Sequence, residues 1–175
     1  MPGAFAVNVA ELVRRPGTQK EVHLVGPATS MQVVDSRVAD GASITADLVL
    51  ESLTDGIVVT GTVTAPWEGS CRRCLTGVGG ELAVDVRELY QQKPTAEEAF
   101  PFHGDRIDLE PMVREAILLE LPLAPVCRPD CAGLCPVCGT DRNATDCDHR
   151  PDVTDPRWAV LDDLLETGKP DPGAN

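Results

Sequence analysis

The chain has 175 residues, with 15 lysines and arginines against 28 aspartates and glutamates, for a formal net charge of -13. Such a charge argues against broad adhesion to nucleic acid or an anionic membrane; it is compatible with a basic protein partner, or with solubility alone. No run approaches the roughly 20 apolar residues of a membrane helix, and the opening MPGAFAVNVAELVRR lacks the layout of a secretory signal, so the chain is expected in the reducing cytoplasm.

The length suits one ordinary domain, or one domain with a small module. Aromatic residues make up only 3%, so valine, leucine, isoleucine and alanine must fill the core. Asn8 followed by Glu11 reads as a capping box for a short helix, stopped by Pro16-Gly17. Gln19 to Val25 reads as a strand closed by Gly26-Pro27, and residues 28–41 as a loop. From Ile44 the pattern turns to period two: Ile44, Ala46, Leu48 and Leu50 share one face, with Thr45, Asp47 and Glu51 opposite. Asp55-Gly56 is a hairpin turn, and the return strand sets Ile57, Val59, Val63 and Ala65 against Thr60, Thr62 and Thr64. A third strand runs from Val78 to about Tyr90 with Leu82, Val84 and Val86 on one face, which completes an antiparallel meander.

Gln91 to Asp105 reads as a linker or long loop, with His103 facing solvent; His23 is an ordinary strand residue. Asp108 can cap the main helix, with Pro111 in its first turn and Leu109, Met112, Val113, Ala116, Ile117 and Leu121 forming an apolar stripe toward the sheet. Arg114, Glu115 and Glu120 mostly take the outer side, and Pro122 ends the helix. Asp155-Pro156 opens a short terminal helix bearing Trp158, Leu161, Leu164 and Leu165, ended by Gly168. The fold expected is α+β: an antiparallel meander packed by one main helix, then a cysteine-rich zinc-binding segment and the short helix. Its divisions are an α+β domain over 1–121, the zinc-binding segment and helix over 122–168, and a disordered tail over 169–175.

The cysteines carry the chemistry. Val126 to Arg150 holds Cys127, Cys131, Cys135, Cys138 and Cys147, with His149 beside them, and otherwise only five small apolar side chains. Ordering each residue costs roughly 1–2 kcal/mol of backbone entropy, so a cross-link is needed. A structural zinc ion supplies about 10–16 kcal/mol in zinc-finger peptides, and seven cysteines cannot all close as disulfides within one chain. Upstream, Cys71-Arg72-Arg73-Cys74 sits at the tip of a hairpin; a thioredoxin-like pair would open a helix, and the glycines that follow argue for metal instead. The eight candidate ligands divide most economically into Cys71, Cys74, Cys127 and Cys131 for one ion, and Cys135, Cys138, Cys147 and His149 for a second. Cys135-Pro-Val-Cys138-Gly139 has the form of a zinc knuckle. A single ion with some cysteines free, or an iron–sulfur cluster, would draw on the same thiolates. Catalytic zinc normally keeps three ligands, rich in histidine or carboxylate, and an open position. No phosphate loop, nucleophile elbow or HExxH occurs, so no enzymatic activity is expected.

The stretches IDLEPMVREAILLELPLAPVC and CAGLCPVCG, the Cys-x-His pair and DPRWAVLDDL together resemble the YceD family of large ribosomal RNA subunit accumulation proteins, from about Gly69 to Glu166. The resemblance implies a cytosolic bacterial protein needed for normal levels of 23S ribosomal RNA and linked to assembly of the large subunit. Family genes often neighbour one for a small zinc-ribbon protein of that subunit, and no enzymatic activity is established for the family. His149 stands where family members often have cysteine; imidazole also binds zinc, and its presence makes iron–sulfur chemistry a poorer fit. The partners expected are therefore ribosomal RNA, or a large-subunit ribosomal protein or assembly intermediate, with neither a membrane nor a small-molecule substrate. Arg72, Arg73, Arg128 and Arg142 flank the ligands and either touch RNA phosphates or offset thiolate charge. The alternatives are a chaperone of a basic ribosomal protein and a thiol sensor that releases zinc on oxidation. A DNA-binding zinc ribbon is disfavoured by the charge and by the lack of a basic helix.

Overall fold

The computed structural model describes residues 3–94 and 99–149. The chain divides into two compact units, Met1–Cys131 and Ala132–Asn175. In the first unit, alternation of apolar and polar residues builds a seven-stranded sheet. Its strands are β2 (Gln19–Pro27), β3 (Met31–Gln32), β4 (Ser36–Val38), β5 (Ser43–Ser52), β6 (Ile57–Ser70), β7 (Gly77–Gln91) and β8 (Phe100–Pro101). Strand β6 is central: β5 and β4 pair antiparallel along one side of it and β7 along the other. Strand β2 lies antiparallel outside β5, β3 outside β4, and β8 runs parallel to the end of β7. A second, two-stranded sheet joins β1 (Ala6–Asn8) to β9 (Arg106–Asp108).

Period-two alternation fixes which face is buried. Ile44, Ala46, Leu48 and Leu50 on β5, with Ile57, Val59, Val63 and Ala65 on β6, line one apolar cluster. The helix α2 (Glu110–Glu120) buries Met112, Val113 and Ile117 in that same cluster. Asp108 Oδ1 accepts the Glu110 N–H at 3.0 Å, and the ring of Pro111 is tolerated in a first turn whose N–H has no helical partner. Asn8 Oδ1 likewise accepts the Ala10 N–H, at 3.0 Å, before the single-turn helix α1 (Ala10–Val13). Arg114 points back rather than outward, donating to the carbonyls of Thr29 and Ser30 at 2.7 and 2.9 Å.

Two expectations are corrected. Residues 28–41 are not a plain loop, because β3 and β4 form a small hairpin there that buries Met31, Ser36 and Val38. Two- and three-residue strands leave no periodicity to detect, so their stabilisation is tertiary: Ser36 Oγ donates to the Pro122 carbonyl at 2.6 Å. The Gln91–Asp105 stretch contains β8, whose Phe100 ring stacks on Tyr90 with centroids 5.2 Å apart. The expected terminal helix with Trp158 and the expected disordered tail lie outside the described residues.

Candidate metal centres

The hairpin joining β6 to β7 does not close with an ordinary tight turn. Cys71 N–H donates to the Thr76 carbonyl at 2.8 Å, and Leu75 N–H to the Cys71 carbonyl at 2.8 Å. This folds Cys71-Arg72-Arg73-Cys74 so that both thiols face the same side. Downstream, the chain leaving α2 is held against the hairpin: Arg72 N–H donates to the Pro125 carbonyl at 2.9 Å. Arg73 Nη1 donates to the carbonyls of Cys131 at 3.1 Å and Pro129 at 3.3 Å. Sγ of Cys71 then lies 3.9 Å from Sγ of Cys131, and Sγ of Cys74 lies 3.6 Å from Sγ of Cys127. All four sulfurs fall within 4.8 Å of one another, with Cys71, Cys74 and Cys131 buried.

The second unit repeats the device. Cys135 N–H donates to the Thr140 carbonyl at 2.8 Å and Gly139 N–H to the Cys135 carbonyl at 2.9 Å. The same two hydrogen bonds thus close Cys71–Thr76 and Cys135–Thr140. Leu75 adopts φ 62 and Gly139 φ 72, the left-handed turn that a knuckle requires after its second cysteine. Each also has a threonine next in the chain, with Cys74 Sγ 3.3 Å from Thr76 Oγ1 and Cys138 Sγ 3.2 Å from Thr140 Oγ1. Asn143 Oδ1 accepts the Ala132 N–H at 2.8 Å and Arg142 N–H donates to the Gly133 carbonyl at 2.9 Å, folding the segment back on itself. Ligand atoms of Cys135, Cys138, Cys147 and His149 also lie within 4.8 Å of one another. Here only Cys135 is buried, and Cys138 and His149 are exposed.

Electrostatics favour the thiolate at one or two cysteines of each quartet. Burial pushes the Cys71 thiol up, but backbone N–H groups of Cys74, Cys127 and Arg73 outweigh it and bring it down to about 6. Backbone N–H groups of Cys138 and Val137 bring Cys135 down to about 7. The Thr140 hydroxyl and N–H lower Cys138 in the same direction. Thiols that give up a proton near neutrality are the ones a divalent ion captures, because the thiolate is the ligand. Cys127 is pushed up to about 12, first by its hydrogen bond to Cys131, and Cys147 is raised chiefly by Cys135.

Of the four arginines singled out in the sequence, Arg73 donates to carbonyls in the ligand-bearing segment and Arg128 pairs with Asp130 at 3.4 Å. Arg72 and Arg142 are both exposed. Sequence reasoning recognised the Cys-Pro-x-Cys-Gly knuckle but not its twin, because leucine at position 75 hides the left-handed turn. The shared Cys-x-x-Cys-x-Thr spacing was the available signal. A bulky side chain in that conformation costs roughly 1–2 kcal/mol. Leu75→Gly is therefore expected to raise the melting temperature by a few degrees without changing metal content, as differential scanning fluorimetry would show.

Two cysteine-rich quartets, one beside the end of an antiparallel sheet and one in a segment nearly free of secondary structure among the described residues, define a protein with two knuckle-like sites that could each hold a metal ion. The family profile of the large ribosomal RNA subunit accumulation protein YceD matches residues 59–165, and the chain belongs to that family. A protein of Mycobacterium tuberculosis described as uncharacterized is 41% identical over 171 residues, covering 92% of this chain and 81% of its own. Uncharacterized protein YlbN of Bacillus subtilis is 27% identical over 126 residues, 69% of this chain and 71% of its own. A chloroplastic YCED homolog 1 of maize is 44% identical over 46 residues, 26% of this chain and 16% of its own. No solved structure matches significantly. No helix among the described residues is long and apolar enough to cross a membrane.

Proposed function

We propose that the protein is a non-enzymatic, zinc-binding cytoplasmic factor that supports accumulation of 23S ribosomal RNA and assembly of the large ribosomal subunit. The observation that carries this reading is a pair of complete four-ligand sets in a chain of the YceD family. Zinc suits the donors. Four cysteines, or three cysteines with one histidine, are ligand sets of structural zinc, and a tetrahedral ion with four protein ligands has no position left to activate water. The metal's role is then mechanical. It fastens the chain leaving α2 to the β6–β7 hairpin, and it orders a second segment with almost no apolar core of its own. In this reading α2 is the one main helix covering the sheet. The surface so stiffened meets ribosomal RNA or a large-subunit protein, with Arg72 and Arg142 as cations among the acidic bulk.

Exposure of Cys127 and Cys138 favours one second reading, a thiol sensor whose outer ligands oxidise and release zinc. Both readings are tested in a strain lacking the gene, by the ratio of large- to small-subunit RNA. The wild-type gene should restore that ratio and Cys138→Ser should not, in cells never exposed to peroxide. Full restoration by a variant shown to lack the second ion would overturn the first reading, whereas a defect confined to peroxide-treated cells would select the second.

A further inference from the structure

Among the described residues, the sheet leaves one long edge without a strand. Strand β7 pairs with β6 along its whole length, yet on its outer side β8 occupies only Tyr90 and Gln91. Among the described residues, no backbone group bonds the outer side from Gly79 to Arg87. Proteins usually blunt such an edge with proline, a bulge, lysine or an inward-pointing charge. The opposite edge, β2, has that protection: Lys20 stands in register with buried Leu50, and its Nζ is tied to the Asn8 carbonyl at 2.9 Å. The β6–β7 register is continuous, without a bulge, and Gly77 to Gln91 contains no proline and no lysine. Its inward charge, Glu88, lies beyond the free stretch, in register with buried Val59.

We infer that this edge pairs with the same edge of a second copy, antiparallel and centred on Val84. The hydrogen-bonding direction of each residue is fixed at both ends of the strand. Phe102 N–H donates to the Gln91 carbonyl on the outer side, whereas Thr76 bonds Cys71 on the inner side. Backbone groups alternate in direction along a strand, so Glu81, Ala83, Asp85 and Arg87 present theirs outward. A twofold axis at Val84 sets Glu81 opposite Arg87 of the second copy, twice, and Ala83 opposite Asp85. Leu82 then meets Val86 on the core-facing side, and the overlap spans Glu81 to Arg87, stopping short of β8. Neighbouring registers fit worse. Centring on Ala83 sets Glu81 against Asp85; centring on Asp85 sets that carboxylate against itself. Centring on Leu82 sets Arg87 and Asp85 against Gly77 and Gly79 and Glu81 against Ala83, and centring on Val86 drives the second strand into β8. Opposite charges directly across a strand pair stabilise it and like charges oppose it, so the pattern selects both partner and register.

The test is sedimentation velocity of the full, metal-loaded chain in reducing buffer, from about 1 to about 100 μM, the span in which an interface of this modest size associates. The wild type should shift from monomer to dimer. Arg87→Glu and Glu81→Arg, at exposed positions, should each weaken association by about tenfold or more, and the double variant should return to within about threefold of wild type. Circular dichroism of each variant checks that the sheet is intact. A wild type that stays monomeric throughout, leaving the edge to a strand from another protein, would overturn the inference. So would a dimer indifferent to both reversals, which would place the interface elsewhere.

Discussion

Cys71→Ser should cost the protein one metal ion and more than about 4 kcal/mol of stability, lowering the melting temperature by roughly 10 °C or more for a chain this size. Cys71 is fully buried at the tip of the hairpin, and its sulfur faces Cys131 at 3.9 Å. A serine hydroxyl there is a poor zinc ligand, and three remaining thiolates would crowd together without their cation. The loss should be local. Ile44, Leu50, Val59 and Val63 pack away from the hairpin tip, so the far-UV spectrum should keep most of its sheet signal. The segment leaving α2 should become the new site of proteolysis, since the bonds from Ser36, Arg72 and Arg73 would be left to hold it. Metal analysis, thermal melting and limited proteolysis on one preparation check all three parts.

Gly61→Ala is expected to be nearly as damaging while leaving metal content untouched. Gly61 adopts φ 146 in the middle of β6, paired with Leu48 on one side and Val86 on the other. A methyl group at that position would collide with the Asp47 carbonyl oxygen and lie 2.9 Å from Leu48 Cα. Both obstacles are backbone, so β5 and β6 must separate where the sheet is central, and the alanine must also take up a conformation L-residues rarely adopt. The expected loss is about 3 kcal/mol or more, read as a fall in the denaturant midpoint. An unchanged midpoint would show that the two strands do not approach as closely as this.

The same residue shows what the sequence made legible. Alternation in Ile44–Leu50 and Ile57–Ala65 was enough to place both strands, their turn and their buried faces, because a half-buried strand must alternate. Gly61 sits inside that run, and a glycine within a strand often marks close backbone approach. Its meaning emerges only with β5 in place, since the obstacle is a carbonyl on another strand. Strands β3, β4 and β8 were hidden for a different reason: they are too short to carry a period and exist because Ser36 and Phe100 find partners elsewhere in the chain. The grouping of the candidate ligands into two quartets was legible by residue type and spacing. Knuckle geometry at Cys71–Thr76 was not, since a leucine occupies the left-handed position. Arg73 illustrates the converse: sequence offers it either as an RNA contact or as an offset to thiolate charge, and only the fold shows its guanidinium donating to the Pro129 and Cys131 carbonyls.

The central claim is that two closed thiolate-rich sites hold zinc and order the chain around them. It is tested most directly by elemental analysis with native mass spectrometry of protein purified anaerobically, in reducing buffer free of chelators. Two zinc ions per chain are predicted, falling to one in Cys71→Ser and to one in Cys138→Ser. A protein that carries no transition metal, yet protects residues 122–149 from proteolysis as well as the loaded form does, would contradict it.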